Sequence, residues 1–193
     1  MKIAVLNVGL IRPSVNRVIK NIIQNQDILS NKYPDYEFVH YNYYYPDPNL
    51  GEEFKKECKA NNIKCKELPL AEEKTYSKDY VLFANTYKCW KNLENAYIDI
   101  PNISQYDAII RTRLDFEIKN LDLPKTINNN NIYAQQLNIW SIFDNFSIVT
   151  PSTYKKLYNI EIVNKLFNML KNKKVQFENN EQILQYICFI ENI

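Results

Sequence analysis

The chain has 193 residues, 46% of them hydrophobic and 24% charged, with a formal net charge of +2. This length and composition are typical of one globular domain, and we expect residues 1–193 to form a single domain. Only two glycines are present, which excludes a Walker A loop or a G-x-G-x-x-G turn. The single histidine excludes a His-rich metal site, and the balanced charge argues against nucleic acid as a partner.

The cysteine spacing and the N-terminal residues bear on metal binding and on the expected location of the protein. The four cysteines form no C-x-x-C pair, so a zinc ribbon is not expected. The chain opens with the strand-like run MKIAVLNVG, and neither a signal peptide nor a transmembrane helix is predicted. We therefore expect a cytoplasmic protein whose thiols are free.

The first half of the chain alternates strand-like and helix-like segments. Residues 3–6 form an apolar run that predicts a buried strand ending near Gly9. Pro13 and Ser14 open a helix whose apolar residues recur with helical spacing. The elements predicted next are a strand over 36–41, a loop over 42–49, a surface helix over 51–61 and a short strand over 63–67. This alternation predicts an α/β fold with a mostly parallel sheet flanked by helices.

The second half adds more strands and a helical end. The predicted elements are a long helix over 79–97, a strand from 106 to about 118, and two short strands over 132–134 and 146–149. From Pro151 onward the pattern is helical, with one break near Lys173. His40 lies in the second predicted strand, where a structural role is favoured over a catalytic one.

Residues 107–118 carry the most informative pattern in the chain. The segment begins as an apolar run and then alternates, which in a strand places Arg111, Arg113, Asp115 and Glu117 on one face. Two interpretations are open. The charges face a ligand at the carboxyl end of an interior strand, where α/β sheets bind ligands. Alternatively, they form a solvated salt-bridge ladder on an edge strand.

Residues 106–115, YDAIIRTRLD, closely resemble the Y-D-x-[VI]-I-R-T-R-x-D stretch of small GT-A-type glycosyltransferases. These proteins occur in large DNA viruses and in bacterial surface-polysaccharide clusters. Weaker similarities follow in the same order along the chain, at residues 9–12, 83–88, 131–133, 144–148 and 178–184. Asn145 stands where the family has Gln, and Asn85 where it has Ser. The resemblance implies a GT-A-like fold, and the host cytoplasm as the location if the chain is viral.

The resemblance implies a metal-dependent glycosyltransferase. The donor would be a nucleotide-diphosphate sugar, with a UDP-sugar favoured, and the acceptor a hydroxyl on a glycan or glycoprotein. Asp115 is the carboxylate that matches the metal ligand for Mn²⁺ or Mg²⁺, and Glu117 could supply a second oxygen directly or through water. Arg111 and Arg113 would bind the donor phosphates or hold Asp115 in place. The sequence does not assign these two roles between them.

Further donor contacts are implied at the end of the first strand and on the long helix. Val8 and Gly9 would let the backbone approach the nucleotide, and Arg12 would add a phosphate contact. Lys88 occupies a family-matching position on the helix. The alternatives are an ordinary turn glycine at Gly9 and a solvated charge at Lys88.

Asp144 matches the acid of the family's D-Q-F-A-I segment and would be the catalytic base of an inverting transfer. The alternative is a loop Asp in an Asx turn. Two rival functions stay open for the whole chain. One is a non-catalytic nucleotide- or glycan-binding module. The other is a sugar nucleotidyltransferase, which is less favoured because its first loop needs several glycines.

Overall fold

The computed structural model describes residues 1–71, 81–134, 136–138, 141–142, 145–170 and 180–193. Within them the chain forms a five-stranded sheet and a separate two-stranded sheet. The strands are β1 (Lys2–Gly9), β2 (Glu37–Tyr44), β3 (Cys65–Glu67), β4 (Ala108–Thr112), β5 (Gln136–Asn138), β6 (Ser141–Ile142) and β7 (Phe146–Val149). The helices are α1 (Val15–Lys32), α2 (Gly51–Ala60), α3 (Val81–Ile98), α4 (Pro151–Leu157), α5 (Ile160–Leu170) and α6 (Asn180–Glu191).

The large sheet has the strand order β3-β2-β1-β4-β7. β1 pairs in parallel with both β2 and β4, and β2 pairs in parallel with β3. Only β7 runs antiparallel, at the edge beside β4. The predicted α/β class with a mostly parallel sheet flanked by helices is therefore confirmed. β4 lies inside this sheet, so the part of the charged segment that it contains is not on an edge strand.

Helices cover both faces of the sheet, and β1 is buried on both sides. Ala4 and Leu6 belong to a core that includes residues of α3 to α6, among them Trp90, whose indole N–H donates to the Leu157 carbonyl at 2.8 Å. Val5 packs on the other side with Leu29 of α1. Such two-sided burial explains the continuous apolar run of β1. Within the described residues, no helix is long and apolar enough to cross a membrane.

Capping residues set where two of these helices begin. Ser14 caps α1, and its side chain accepts a hydrogen bond from the backbone N–H of Arg17. Thr150 caps α4 in the same way, and Pro151 occupies the first turn. These are the residue types that favour a helix start. The predicted starts near Ser14 and Pro151 are confirmed.

The structure corrects several predicted boundaries. β2 continues to Tyr44, so the first three residues of the predicted loop over 42–49 belong to a strand. Of the predicted strand over 132–134, Tyr133 forms only an isolated bridge to Ile148. The C-terminal helices break between α4 and α5, which the sequence analysis did not predict. The break predicted near Lys173 lies outside the described residues.

The most consequential correction concerns the strand predicted to run to about residue 118. β4 ends at Thr112, where its pairing with β1 also ends. The chain then turns: the Arg113 N–H donates to the Asn145 carbonyl at 3.2 Å, and the Phe116 N–H donates to the Arg113 carbonyl at 3.1 Å. The alternation of charges beyond Thr112 is therefore not the alternation of a strand.

Candidate functional site

A cleft of about 590 Å³ opens where β1 and β4 end. Val8 and Gly9 reach it from the end of β1, Arg111 and Arg113 from β4 and the residue after it, and Lys88 from α3. The full lining is Val8, Gly9, Leu10, Arg12, Tyr45, Leu70, Lys88, Cys89, Asn92, Leu93, Arg111, Arg113 and Asn145. All six residues proposed from the sequence as donor contacts thus line one cavity. The carboxyl ends of parallel strands are where open α/β sheets bind ligands.

The charged side chains in the described lining of the cleft are all cationic. Four cationic side chains line it, including three of the four arginines in the chain, while the residues given above as its lining include no Asp or Glu. A concave site lined by one sign of charge attracts ligands of the opposite sign. The cationic residues are Arg12, Lys88, Arg111 and Arg113. We conclude that the cleft suits an anion carrying more than one negative charge.

Arg111 supplies the most deeply buried of these charges. It is 4% exposed, and its guanidinium carbon lies 5.9 Å from the ring centroid of Tyr158. Tyr45 also lies near it: burial raises the pKa of the Tyr45 hydroxyl, and the positive charge of Arg111 acts in the opposite direction. Arginine stays charged at all physiological pH, so the wall of the cleft carries a fixed positive charge.

Arg113, which lines the cleft, forms a two-pronged ion pair with Asp115, which is not among the lining residues. Nε of Arg113 donates to Oδ1 of Asp115 at 2.8 Å, and Nη2 donates to Oδ2 at 2.5 Å. The remaining Nη1 donates to Oδ1 of Asn145 at 3.0 Å. This fork geometry fixes the orientation of the carboxylate. The sequence left two roles open for Arg113, and the contact with Asp115 is compatible with the role of holding that carboxylate in place.

Two buried asparagines of α1 hold the turn that carries Asp115. The Asn21 side-chain amide donates to the Asp115 carbonyl at 3.0 Å, and that of Asn25 donates to the Phe116 carbonyl at 2.9 Å. Oδ1 of Asn25 also accepts from the Ile118 N–H at 2.8 Å. These contacts take the place of ladder hydrogen bonds beyond the end of β4. The sequence analysis missed them, although two asparagines on the apolar face of a helix are an unusual signal.

Glu117 and Asp115 do not lie on a common strand, because β4 ends at Thr112. Glu117 lines a second cavity of about 410 Å³ together with Phe116, Ile118, Lys119, Asn120, Leu121 and Phe146. None of these residues lines the first cleft. The strand alternation that predicted a shared face for Glu117 and Asp115 is therefore absent, and a metal contact from Glu117 stays a prediction from the sequence.

A Mn²⁺ or Mg²⁺ ion at Asp115 stays a prediction from the sequence. Among the described residues, no group of three or more His, Cys, Asp or Glu side chains could hold a metal. Each carboxylate oxygen of Asp115 has a second lone pair besides the one used by Arg113, which a metal ion could use. Mg²⁺ commonly binds through one or two carboxylates plus substrate phosphates. A Mn²⁺ or Mg²⁺ ion at Asp115 would therefore need phosphate oxygens to complete its shell.

Gly9 lies beside the turn that carries Asp115. A methyl group placed on Gly9 would come no nearer to a neighbouring atom than 3.7 Å, the distance to the Leu114 nitrogen. Packing against the described protein therefore does not demand a glycine, whereas the φ of +158° is a backbone conformation that residues with a side chain rarely adopt. Asp144, the proposed base, lies outside the described residues, although the next residue, Asn145, lines the cleft.

His40 lies on β2 and does not line the cleft. Burial lowers the pKa of its imidazole to about 4. Its Nδ1 atom has no hydrogen-bond partner among the described residues. The imidazole is thus neutral near pH 7, in keeping with the structural role predicted for it.

Comparison with protein-family models gave no match, and a search of curated proteins also found none. The resemblance to GT-A-type glycosyltransferases therefore stays a prediction from the sequence. What the structure adds is the fold class and the assembly of the positive cleft.

Proposed function

We propose that the protein is a GT-A-type glycosyltransferase that moves a sugar from a nucleotide-diphosphate donor to a hydroxyl of a glycan or glycoprotein. The observation that carries the proposal is the cleft at the ends of β1 and β4, where four cationic side chains converge. A diphosphate carries at least two negative charges and binds arginine through charge-assisted hydrogen bonds. A volume of about 590 Å³ is in the range of cavities that hold small-molecule ligands.

The remaining lining suits the uncharged parts of such a donor. Tyr45, Leu70 and Leu93 give the cleft an apolar wall, and Asn92 places an amide among them. Apolar walls with a few polar groups are typical of sites for small molecules and cofactors. In our proposal the cations hold the diphosphate, and this wall receives the base or the sugar of a UDP-sugar.

In the proposed reaction, the charged residues of the site stabilise the negative charge that develops on the departing diphosphate. When bound at Asp115, Mn²⁺ or Mg²⁺ would neutralise charge that builds on the departing diphosphate. Arg113 keeps the Asp115 carboxylate in one orientation, and buried Arg111 contributes positive charge that needs no rearrangement during the reaction. Fixed charges aimed at developing charge are usually the largest contribution to catalysis.

A transferase also needs an acceptor site that meets the donor site at the bond being broken. Asp144 directly precedes Asn145 in the chain, and we propose it as the base that takes the acceptor proton.

Donor turnover tests the proposal. The full chain is incubated with a panel of nucleotide-diphosphate sugars, with Mn²⁺ or with a chelator, and the released nucleoside diphosphate is measured. We expect turnover of one donor with Mn²⁺ and a loss of at least about 100-fold in Asp115→Asn, about 2.7 kcal/mol of transition-state stabilisation. Asp122→Asn is the matched control, because Asp122 is an exposed acid paired with Lys32 elsewhere on the surface.

The same assay separates the rival functions. Binding of a nucleotide sugar without turnover, even with an acceptor glycan present, would indicate a non-catalytic binding module. This alternative is supported by the bidentate pairing of Asp115 with Arg113, because both oxygens of the proposed metal ligand already have a partner in the protein. Release of pyrophosphate from a nucleoside triphosphate and a sugar phosphate would indicate a nucleotidyltransferase instead.

A further inference from the structure

Two cysteines meet where α2 leads into β3. Cys58 lies near the end of α2 and is 1% exposed, and Cys65 is the first residue of β3 and is half-buried. The intervening turn brings the chain back on itself: the Ile63 N–H donates to the Cys58 carbonyl at 2.8 Å. Cys65 packs against the core cluster that contains Cys58. Both cysteines are free thiols in this structure.

The surroundings of the two sulfurs are unequal. The Cys58 thiol donates a hydrogen bond to the Cys65 sulfur, which lowers the pKa of Cys65 and raises that of Cys58. Lys55 lowers the pKa of Cys65 further, and burial opposes the change. The charged groups near Lys55 are Glu52, at 2.7 Å, and Glu67, at 3.6 Å. Cys65 is thus the more acidic and more accessible sulfur, with a second thiol in contact.

We propose that Cys58 and Cys65 are an oxidation-sensitive pair that closes to a disulfide when the protein meets a peroxide. In the first step the Cys65 thiolate attacks one peroxide oxygen, the O–O bond breaks, and Cys65 becomes a sulfenic acid while hydroxide leaves. In the second step the Cys58 sulfur attacks the Cys65 sulfur, the S–O bond breaks and water leaves. The two thiols supply the two electrons that reduce one hydrogen peroxide to two waters.

Selectivity over Cys188 follows from its burial. Cys188 lies in α6, and burial raises the pKa of its thiol to about 11, so it resists oxidation. Cys89 lines the cleft and belongs to neither α2 nor β3. The inference does not depend on the proposed transferase activity, because it concerns a separate set of residues.

Mass spectrometry of the full chain tests the proposal. The protein is treated with hydrogen peroxide, the remaining thiols are blocked with N-ethylmaleimide, and tryptic peptides are analysed. We expect one linked pair of peptides joining Cys58 to Cys65, two hydrogen atoms lighter than the reduced pair and separated again by dithiothreitol. Loss of free Cys65 should be at least about tenfold faster than loss of free Cys188.

Two variants, each checked for folding by circular dichroism, follow the order of the steps. Cys58→Ser removes the resolving thiol, so the sulfenic acid on Cys65 should persist and react with dimedone. Cys65→Ser should leave Cys58 unoxidised over the same time. In the wild-type chain, which needs no variant to fold, oxidation of Cys65 no faster than that of Cys188, or the absence of the Cys58–Cys65 link, would overturn the proposal.

Discussion

Arg113 joins the cleft to the carboxylate beside it. Arg113 lines the cleft. Its guanidinium donates hydrogen bonds to both carboxylate oxygens of Asp115 and to the side-chain oxygen of Asn145. A lysine at this position keeps the charge but offers a single ammonium in place of a planar fork. Replacing Arg113 by lysine therefore tests whether the fork geometry matters when the positive charge is kept.

Arg113→Lys should weaken metal-dependent donor binding by about 10- to 100-fold, the usual cost of losing a group that orients a metal ligand. The check is calorimetric titration of donor and Mn²⁺ into wild type and variant. Arg17→Lys is the matched control, because Arg17 is exposed on α1 and does not line the cleft. Equal affinities in the Arg113 and Arg17 variants would mean that the fork has no part in donor binding.

His40 gives the protein a pH-dependent stability that can be isolated, because it is the only histidine in the chain. Burial lowers its pKa from 6.5 to about 4, so the unfolded chain binds the proton more readily than the folded one. Its neutral form therefore stabilises the fold above pH 6.5, and this contribution is lost as the pH falls toward 4. Between pH 7 and pH 5 the loss is about 2 kcal/mol.

His40→Gln should flatten this part of the pH profile. The free energy of unfolding, measured with urea at pH 7 and pH 5, should fall less in the variant than in wild type, by about 2 kcal/mol. Carboxylates also titrate in this range, and the comparison with the variant removes their shared contribution. An identical fall in both proteins would show that His40 titrates normally in the folded chain.

At the scale of elements, α1 and the turn after β4 form one unit. The helix presents Asn21 and Asn25 from a face that otherwise holds apolar side chains such as Val18 and Leu29. Their amides bind the backbone of residues 115–118. A buried polar group is retained only when its partner is in place, so the helix and the turn position each other.

Asn25→Ala should destabilise the protein by about 1–3 kcal/mol, because it removes two hydrogen bonds and leaves buried backbone groups without partners. In a chain of this length each kcal/mol lowers the midpoint by about 2–4 °C, which thermal unfolding can resolve. Ser30→Ala, at an exposed position of the same helix, is the control and should change the midpoint little. A midpoint equal to wild type in Asn25→Ala would contradict the anchoring role.

The charged segment shows where sequence reasoning stops. The apolar run through Ile110 correctly predicted an interior strand. Arg111 and Arg113, which were expected on one face, both line the cleft. Alternation alone cannot show where a strand ends, because that depends on its neighbours. Here the pairing with β1 ends at Thr112, and the backbone beyond it is hydrogen-bonded by side chains of α1 instead. For this reason the strand alternation that placed Glu117 on the side of Asp115 does not apply.

The segment before β7 carries a prediction of its own, at Asp144. If transfer is inverting, Asp144→Asn should leave donor binding nearly unchanged and reduce transfer to an acceptor by at least about 100-fold, the usual effect of losing a general base. The check is transfer of a labelled sugar alongside donor titration. Loss of donor binding would move Asp144 to the donor side, and a wild-type transfer rate would leave it as a turn residue.

At the scale of the whole molecule, strand order explains why residues distant in sequence meet. β1 lies between β2 and β4, so its end at Gly9 comes beside the turn around Leu114 although about a hundred residues separate them. α3 contributes Lys88 to the same cavity. The alternation of segments predicted the parallel sheet, and hence a shared edge at which strands end. The sequence could not show the antiparallel β7 or the separate β5–β6 sheet, which depend on pairings between short segments.

The central claim is that this shared edge binds the diphosphate of a nucleotide sugar, and a pair of matched ligands tests it most directly. Uridine and UDP, with guanosine and GDP as a second pair, are titrated calorimetrically into the full chain in the presence of Mn²⁺. We expect at least one diphosphate to bind about 100-fold more tightly than its nucleoside, a difference of about 2.7 kcal/mol. Equal affinity of each diphosphate and its nucleoside, or no binding of either diphosphate, would contradict the account.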